Sequence, residues 1–203
     1  MRTKFFDRNG SNHGRFEEKV AIVTGAGTGI GEAIAHKFAT EGARVVVCGL
    51  PDDPIEDVVK AIRDNKGEAV AFAGDISEER AAKQCVDLAI KEFKWLDVLV
   101  NNAGVFLDNA MTQDYPIEDF DETIRMNIRS AFMMTRFALP HLQRTRGNII
   151  SAGSESGMIG LAQNTPYGGT KGWMHAFMRG VAVEQAQYGV RANCVCPGPI
   201  DTA

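Results

Sequence analysis

Tyr167-Gly168-Gly169-Thr170-Lys171 sets a phenol and an ammonium four residues apart. On a helix that spacing brings both side chains to one face. A phenol near its ordinary pKa of about 10 is a weak base at neutral pH, but a neighbouring cation favours the phenolate. Such a pair can exchange a proton with a substrate oxygen. Taken alone, Tyr-x-x-x-Lys describes many helix surfaces, so its meaning depends on what lies near it. Upstream, Asn148 to Ser151 open into Ala152-Gly153-Ser154-Glu155-Ser156-Gly157. Hydroxyls therefore gather at the carboxyl end of an expected strand, where parallel sheets bind ligands. Val98-Leu99-Val100 runs into Asn101-Asn102-Ala103-Gly104, a second polar turn at the same edge.

A third turn is built from glycine. Thr24-Gly25-Ala26-Gly27-Thr28-Gly29-Ile30-Gly31 follows the first β-branched run and precedes Ala33, Ile34, Ala35 and Phe38, which begin a helix. Glycines let the backbone turn tightly and approach a pyrophosphate, whose charge the free N–H groups of the helix start attract. GxGxxG does not fit, whereas Gly25-xxx-Gly29-x-Gly31 does. A ribose reader is expected about 20 residues further on. There the chain reads Val47-Cys48-Gly49-Leu50-Pro51-Asp52-Asp53, with two late carboxylates and no arginine. A 2′-phosphate would meet repulsion at that turn, so NAD is favoured over NADP. Asp53 also has a competing use as a helix N-cap.

These turns need elements to carry them. Six apolar runs, Val20 to Thr24, Arg44 to Cys48, Ala69 to Ala73, Leu96 to Val100, Asn148 to Ser151 and Arg191 to Val195, read as strands, most of them apolar on both faces. Helical patterns alternate with them. Ile55, Val58, Val59 and Ile62 repeat behind the expected cap Asp53 and first helical residue Pro54, and Ser77 is the expected cap before Ala82, Val86, Ile90 and Phe93. Met174, Phe177, Met178, Val181, Ala182 and Gln185 form a broad stripe suited to core or subunit contact. The alternation predicts the α/β class, with a doubly wound parallel sheet between helices in three α/β/α layers. Residues 1–18 are polar and aperiodic and read as a flexible N-terminal extension, leaving 19–203 as one dinucleotide-binding catalytic domain.

Composition narrows the function classes. The 203 residues hold 26 acidic and 22 basic side chains, a formal charge of −4, which argues against a nucleic-acid binder. No apolar run is long enough for a membrane span and no secretory pattern opens the chain, so a cytoplasmic location is expected. Four scattered cysteines do not make a disulfide scaffold, and Cys194-x-Cys196 lacks a second ligand pair at zinc spacing. All four therefore read as small apolar fillers, and no metal site is expected.

Together, Thr24-Gly25-xxx-Gly29-Ile30-Gly31, Asp75-Ile76, Asn101-Asn102-Ala103-Gly104, Asn127, Ser154, Tyr167-xxx-Lys171 and Pro197-Gly198 resemble the short-chain dehydrogenase/reductase family, in its order and over everything from about Lys19 to the end. The resemblance implies a Rossmann-like fold and hydride transfer between a nicotinamide cofactor and a carbonyl or secondary alcohol. It implies that Gly25, Gly29, Ile30 and Gly31 hold the pyrophosphate and adenosine side, that Asp75 and Ile76 meet the adenine, and that Asn101, Ala103 and Gly104 line the cofactor wall. Tyr167 would be the general acid/base, with Lys171 holding the nicotinamide ribose and lowering the tyrosine pKa. Ser154, selected over Ser151 and Ser156 by the family's spacing, would bond the substrate oxygen. Asn127 would hold a water linked to the lysine, and Pro197-Gly198 with Ile200 and Thr202 would meet the carboxamide.

Members of that family continue into a substrate-covering segment, a further helix and a seventh strand, so the resemblance implies that this chain is C-terminally incomplete. It also implies assembly as a homodimer or homotetramer through the helix containing Asn127 and the helix starting at Tyr167. Two alternatives stay open at this level: a catalytically silent dinucleotide-binding protein on the same fold, and a truncated, inactive chain.

Overall fold

A computed structural model describes residues 14–202. Six parallel strands, β1 (Val20–Thr24), β2 (Arg44–Gly49), β3 (Glu68–Ala73), β4 (Val98–Asn101), β5 (Asn148–Ala152) and β6 (Arg191–Val195), form one sheet in the order β3-β2-β1-β4-β5-β6. Each expected strand is present with ends shifted by at most two residues. The largest shift is at β4, which starts at Val98, directly after Asp97. Its carboxylate accepts from the Val20 N–H and pairs with Lys19, each at 3.0 Å.

The helices are α1 (Gly29–Thr40), α2 (Ile55–Asp64), α3 (Glu79–Phe93), α4 (Ile117–Ile124), α5 (Ser130–Thr145) and α6 (Thr165–Gln185). Strand parity divides them between two layers, because alternate side chains leave opposite faces of a strand. Val20, Ile22 and Leu99 pack with α3, α5 and α6 on one face, and Ala21, Val23, Val98 and Val100 pack with α1 and α2 on the other. The result is the three-layer, Rossmann-like α/β/α arrangement. The α6 stripe is core at Met174, Met178, Val181 and Gln185, while Phe177 and Ala182 are half-buried.

Two expected caps are corrected. The α2 cap is Pro54, and the Asp53 carboxylate instead accepts from the Leu50 N–H at 2.7 Å. The α3 cap is Glu78, and the Ser77 hydroxyl accepts from Arg125 at 2.7 Å. The expected extension lies outside the described residues up to His13. Beyond it, the Phe16 N–H donates to the Glu41 carbonyl at 2.9 Å, and the Phe16 and Phe38 rings lie 4.6 Å apart. Among the described residues no helix is long and apolar enough to cross a membrane.

The strand order reverses between β1 and β4, which pair through Ala21 with Val98, Ile22 with Leu99 and Val23 with Val100. Chains leaving neighbouring strands on opposite sides open a crevice at their carboxyl ends.

Candidate active site

That crevice is a cleft of about 470 Å³, lined by the glycine turn after β1, the ends of β2 to β5, the start of α6 and the segment after β6. The turn is held by Thr24, whose hydroxyl accepts from the N–H groups of Asn102 and Ala103, both at 3.0 Å. The Asn102 amide donates to the carbonyls of Thr24 at 3.0 Å and Gly25 at 3.1 Å. Gly25 and Gly29 take φ values of +58° and +56°, which favour glycine. A Cβ at Gly31 would fall 2.0 Å from the Gly25 carbonyl oxygen, so the helix can start against the turn only without a side chain there. The α1 N-terminus and a bare backbone thus face the cleft, a cradle into which a pyrophosphate fits.

Asp53 reaches the same end of the cleft. A Cβ at Gly27 would meet the Asp53 Cβ at 2.9 Å, and one at Gly49 would meet its Oδ2 at 2.7 Å. The carboxylate therefore lies across the end of β2 beside the glycine turn. Asp75 and Ile76 also line the cleft, but the Asp75 carboxylate is committed to Arg125 and to the Ser77 N–H. Burial works to raise its pKa; Ser77 and Arg125 outweigh burial and hold it below the usual carboxylate value.

At the other end, Ser154, Tyr167 and Lys171 converge. The Ser154 hydroxyl accepts from the Ser156 N–H at 3.1 Å, which fixes it at the start of a short turn, and Lys171 donates to the Ala152 carbonyl at 2.8 Å. Both are buried, and the Tyr167 ring packs edge-on against Phe106 with centroids 5.2 Å apart. The lowering of the Tyr167 pKa expected from Lys171 is not met. Burial raises the phenol and only the Ser154 hydroxyl opposes it. The reason lies in the lysine, whose own pKa burial brings down to about 8 and whose ammonium is turned to Ala152, 5.4 Å from the tyrosine ring centroid.

Gly25, Gly29, Ile30, Gly31, Ala103, Gly104, Pro197, Gly198, Ile200 and Thr202 all line the cleft as expected. Asn101 does not, and Asn127, expected to serve Lys171 through a water rather than to form the wall, is not part of the lining either. Asn101 is buried beneath the sheet edge, donating to the hydroxyls of Thr135 at 3.0 Å and Ser151 at 3.3 Å. Its neighbour Asn102 takes the wall position, because alternate residues of an extended strand face opposite ways. Asn127 sits in a π-helical turn, Arg125–Arg129, behind that wall. Its amide donates to the Val105 carbonyl at 2.9 Å and to Thr170 at 3.1 Å, while its oxygen accepts from the Val105 N–H at 2.7 Å. Of the rival serines, Ser151 is buried against Met178 and Ser156 lies off the cleft. Sequence reasoning missed Phe106, Met126 and Asn102 as lining; only the doubled asparagine carried any signal.

The sequence profile of the family described as short chain dehydrogenase matches residues 19–203. Similar proteins include the uncharacterized oxidoreductase YxbG of Bacillus subtilis, 36% identical over 189 residues, which span 93% of this chain and 69% of the relative. L-fucose dehydrogenase of Bos taurus is 37% identical over 188 residues, 93% of this chain and 68% of the relative. Elsinochrome reductase 1 of Elsinoe fawcettii is 38% identical over 190 residues, 93% and 70% respectively. The chain therefore belongs to the short chain dehydrogenase family, whose chemistry is oxidation and reduction with a nicotinamide cofactor.

Proposed function

We propose that the protein is an NAD-preferring oxidoreductase that interconverts a secondary alcohol and a carbonyl, with Tyr167 as the general acid/base. The observation that carries this reading is the convergence of Ser154, Tyr167 and Lys171 on the cleft that also holds the glycine cradle. A bound nicotinamide supplies or accepts the hydride. Tyr167 gives its proton to the carbonyl oxygen in reduction and takes it back in oxidation. A phenol raised by burial stays protonated at neutral pH, which suits the acid role directly. Ser154, held by the Ser156 N–H, directs its hydroxyl to the same oxygen. Lys171 supplies positive charge at the nicotinamide ribose and to the developing alkoxide, an electrostatic contribution prepared before reaction. Asn127 supports this group from behind by fixing Val105 and Thr170.

Adenine contact at Asp75 and Ile76 and carboxamide contact through Pro197, Gly198, Ile200 and Thr202 complete the reading. The preference for NAD rests on Asp53, a carboxylate beside the glycine turn where a 2′-phosphate would have to sit. Assembly through α5 and α6 is part of the proposal. Its support is the exposed Phe132, 6.1 Å by ring centroids from Phe177, which stacks on Trp173 at 4.5 Å. Sedimentation as a clean monomer at micromolar concentration would count against that assembly.

One relative is named for L-fucose and another as a reductase, so L-fucose is the first alcohol to offer. The test is a fluorescence titration with NADH and then NADPH, followed by turnover of an alcohol and carbonyl panel. Tighter NADH binding with turnover is expected. Binding of neither nucleotide by the folded protein would overturn the reading.

A further inference from the structure

Behind the Ser154 turn lies a second cluster that the oxidoreductase chemistry does not use. His175 Nε2, Cys194 Sγ and Cys196 Sγ all lie within 4.8 Å of one another, with Nε2 and the Cys196 sulfur 3.1 Å apart. We propose that His175, Cys194 and Cys196 form a zinc site that fastens α6 to the end of β6.

Strand geometry explains how the two thiols meet the imidazole. Cys194 is the penultimate residue of β6 and Cys196 lies just past the strand's end, two residues on, so both side chains leave the same face of the extended chain. That is the face packed against α6, which carries His175. Room for the group comes from Gly153, where an added Cβ would fall 2.6 Å from both the Cys194 sulfur and the His175 Nε2. The Gly153 N–H donates to the Val195 carbonyl at 2.8 Å, which holds the residue just past β5 against the chain between the two cysteines.

Donor chemistry selects the metal. Thiolate and imidazole ligands suit zinc, whereas calcium and magnesium take oxygen ligands, and the cluster has no carboxylate. Three protein ligands leave one tetrahedral position, and all three residues are half-buried, so water can reach it. Arg179 and Lys171 are the cations acting on His175. Two thiolates balance a dication, so a filled site adds no net positive charge beside them. The site adjoins Ser154 through Gly153, and Lys171 precedes His175 by one helical turn. A bound ion would therefore stiffen the backbone that carries both.

The probes are Co²⁺ and then Zn²⁺, added to the reduced, metal-stripped protein. The expected result is one cobalt per chain, with thiolate-to-cobalt charge-transfer absorption and the intense visible bands of tetrahedral cobalt, both lost on adding zinc. Cys196→Ser should weaken binding at least ~tenfold and remove most of the charge-transfer absorption. Cys85→Ala, which alters a fully buried thiol on the inner face of α3, should leave both unchanged. Absence of the charge-transfer band from the folded wild-type protein would overturn the proposal without recourse to any variant. So would a band that survives in a folded Cys194→Ser, Cys196→Ser double variant. Neither readout depends on nicotinamide binding or turnover.

Discussion

The Lys171 ammonium donates a 2.8 Å hydrogen bond to the Ala152 carbonyl oxygen, two residues before Ser154. One contact thus ties α6, which carries Tyr167 and Lys171, to the strand end that presents the serine. Tyr167 and Lys171 are neighbours by helical spacing, and Ser154 joins them because β5 ends where α6 begins to pack on the sheet.

Tyr167→Phe should lower turnover by about 10²–10⁴-fold, the range for losing a positioned acid or base. NADH affinity should stay within a few fold, since the ring and its edge contact with Phe106 are kept. Steady-state rates beside a fluorescence titration separate the two effects. A near-normal rate would remove Tyr167 from the mechanism.

Alcohol oxidation requires the phenol to give up its proton, and burial holds the Tyr167 pKa above its usual 10. The oxidation rate should therefore climb with pH through the neutral and mildly alkaline range, while carbonyl reduction should not climb with it. Initial rates in both directions across that range test this, and a flat oxidation profile would contradict it.

Lys171 loses stability to its own burial, because the folded pKa of about 8 lies below the ordinary 10.5. Between those values the unfolded chain binds the extra proton, so stability rises with pH there; below about 8 the full penalty is present. The whole effect amounts to roughly 3 kcal/mol at most. Lys171→Met should lack this rise. Urea unfolding of both proteins at neutral and alkaline pH measures it, and parallel pH dependences would contradict the assignment.

Asp53→Asn keeps an acceptor for the Leu50 N–H and removes the charge beside the glycine turn. NADPH binding should tighten about tenfold relative to NADH, the effect of about 1.4 kcal/mol of relieved repulsion. Paired titrations give the ratio directly. An unchanged ratio would show that Asp53 does not choose the cofactor.

Gly31→Ala would drive a methyl group to within 2.0 Å of the Gly25 carbonyl oxygen, where only backbone can give way. A loss of at least ~2 kcal/mol in stability is expected, with NADH binding weakened because the turn must open. Gly169→Ala is the control, since nothing lies within 4 Å of a Cβ there.

Much of the molecule was legible along the chain because its signals are local. Six short apolar runs separated by helical periods specify the alternating strands and helices, and the glycine spacing marks the turn after β1, where Gly25 and Gly29 take positive φ. The pairing of Tyr167 with Lys171 follows from helical repeat alone. Other relationships join residues far apart in the chain, and no local period reports them. Which serine enters the cleft depended on strand parity and on the end of β5, which turns Ser151 into the core and leaves Ser154 facing Tyr167. Parity also gave the wall position to Asn102 and buried Asn101. Packing between distant elements bound Asp75 to Arg125 and brought Asp53 to the glycine turn. It likewise set His175 beside two cysteines that had read as filler. Sequence determined the elements and the pairs within one element, whereas the direction of side chains at the sheet's carboxyl edge was decided only when separate strands and helices came together.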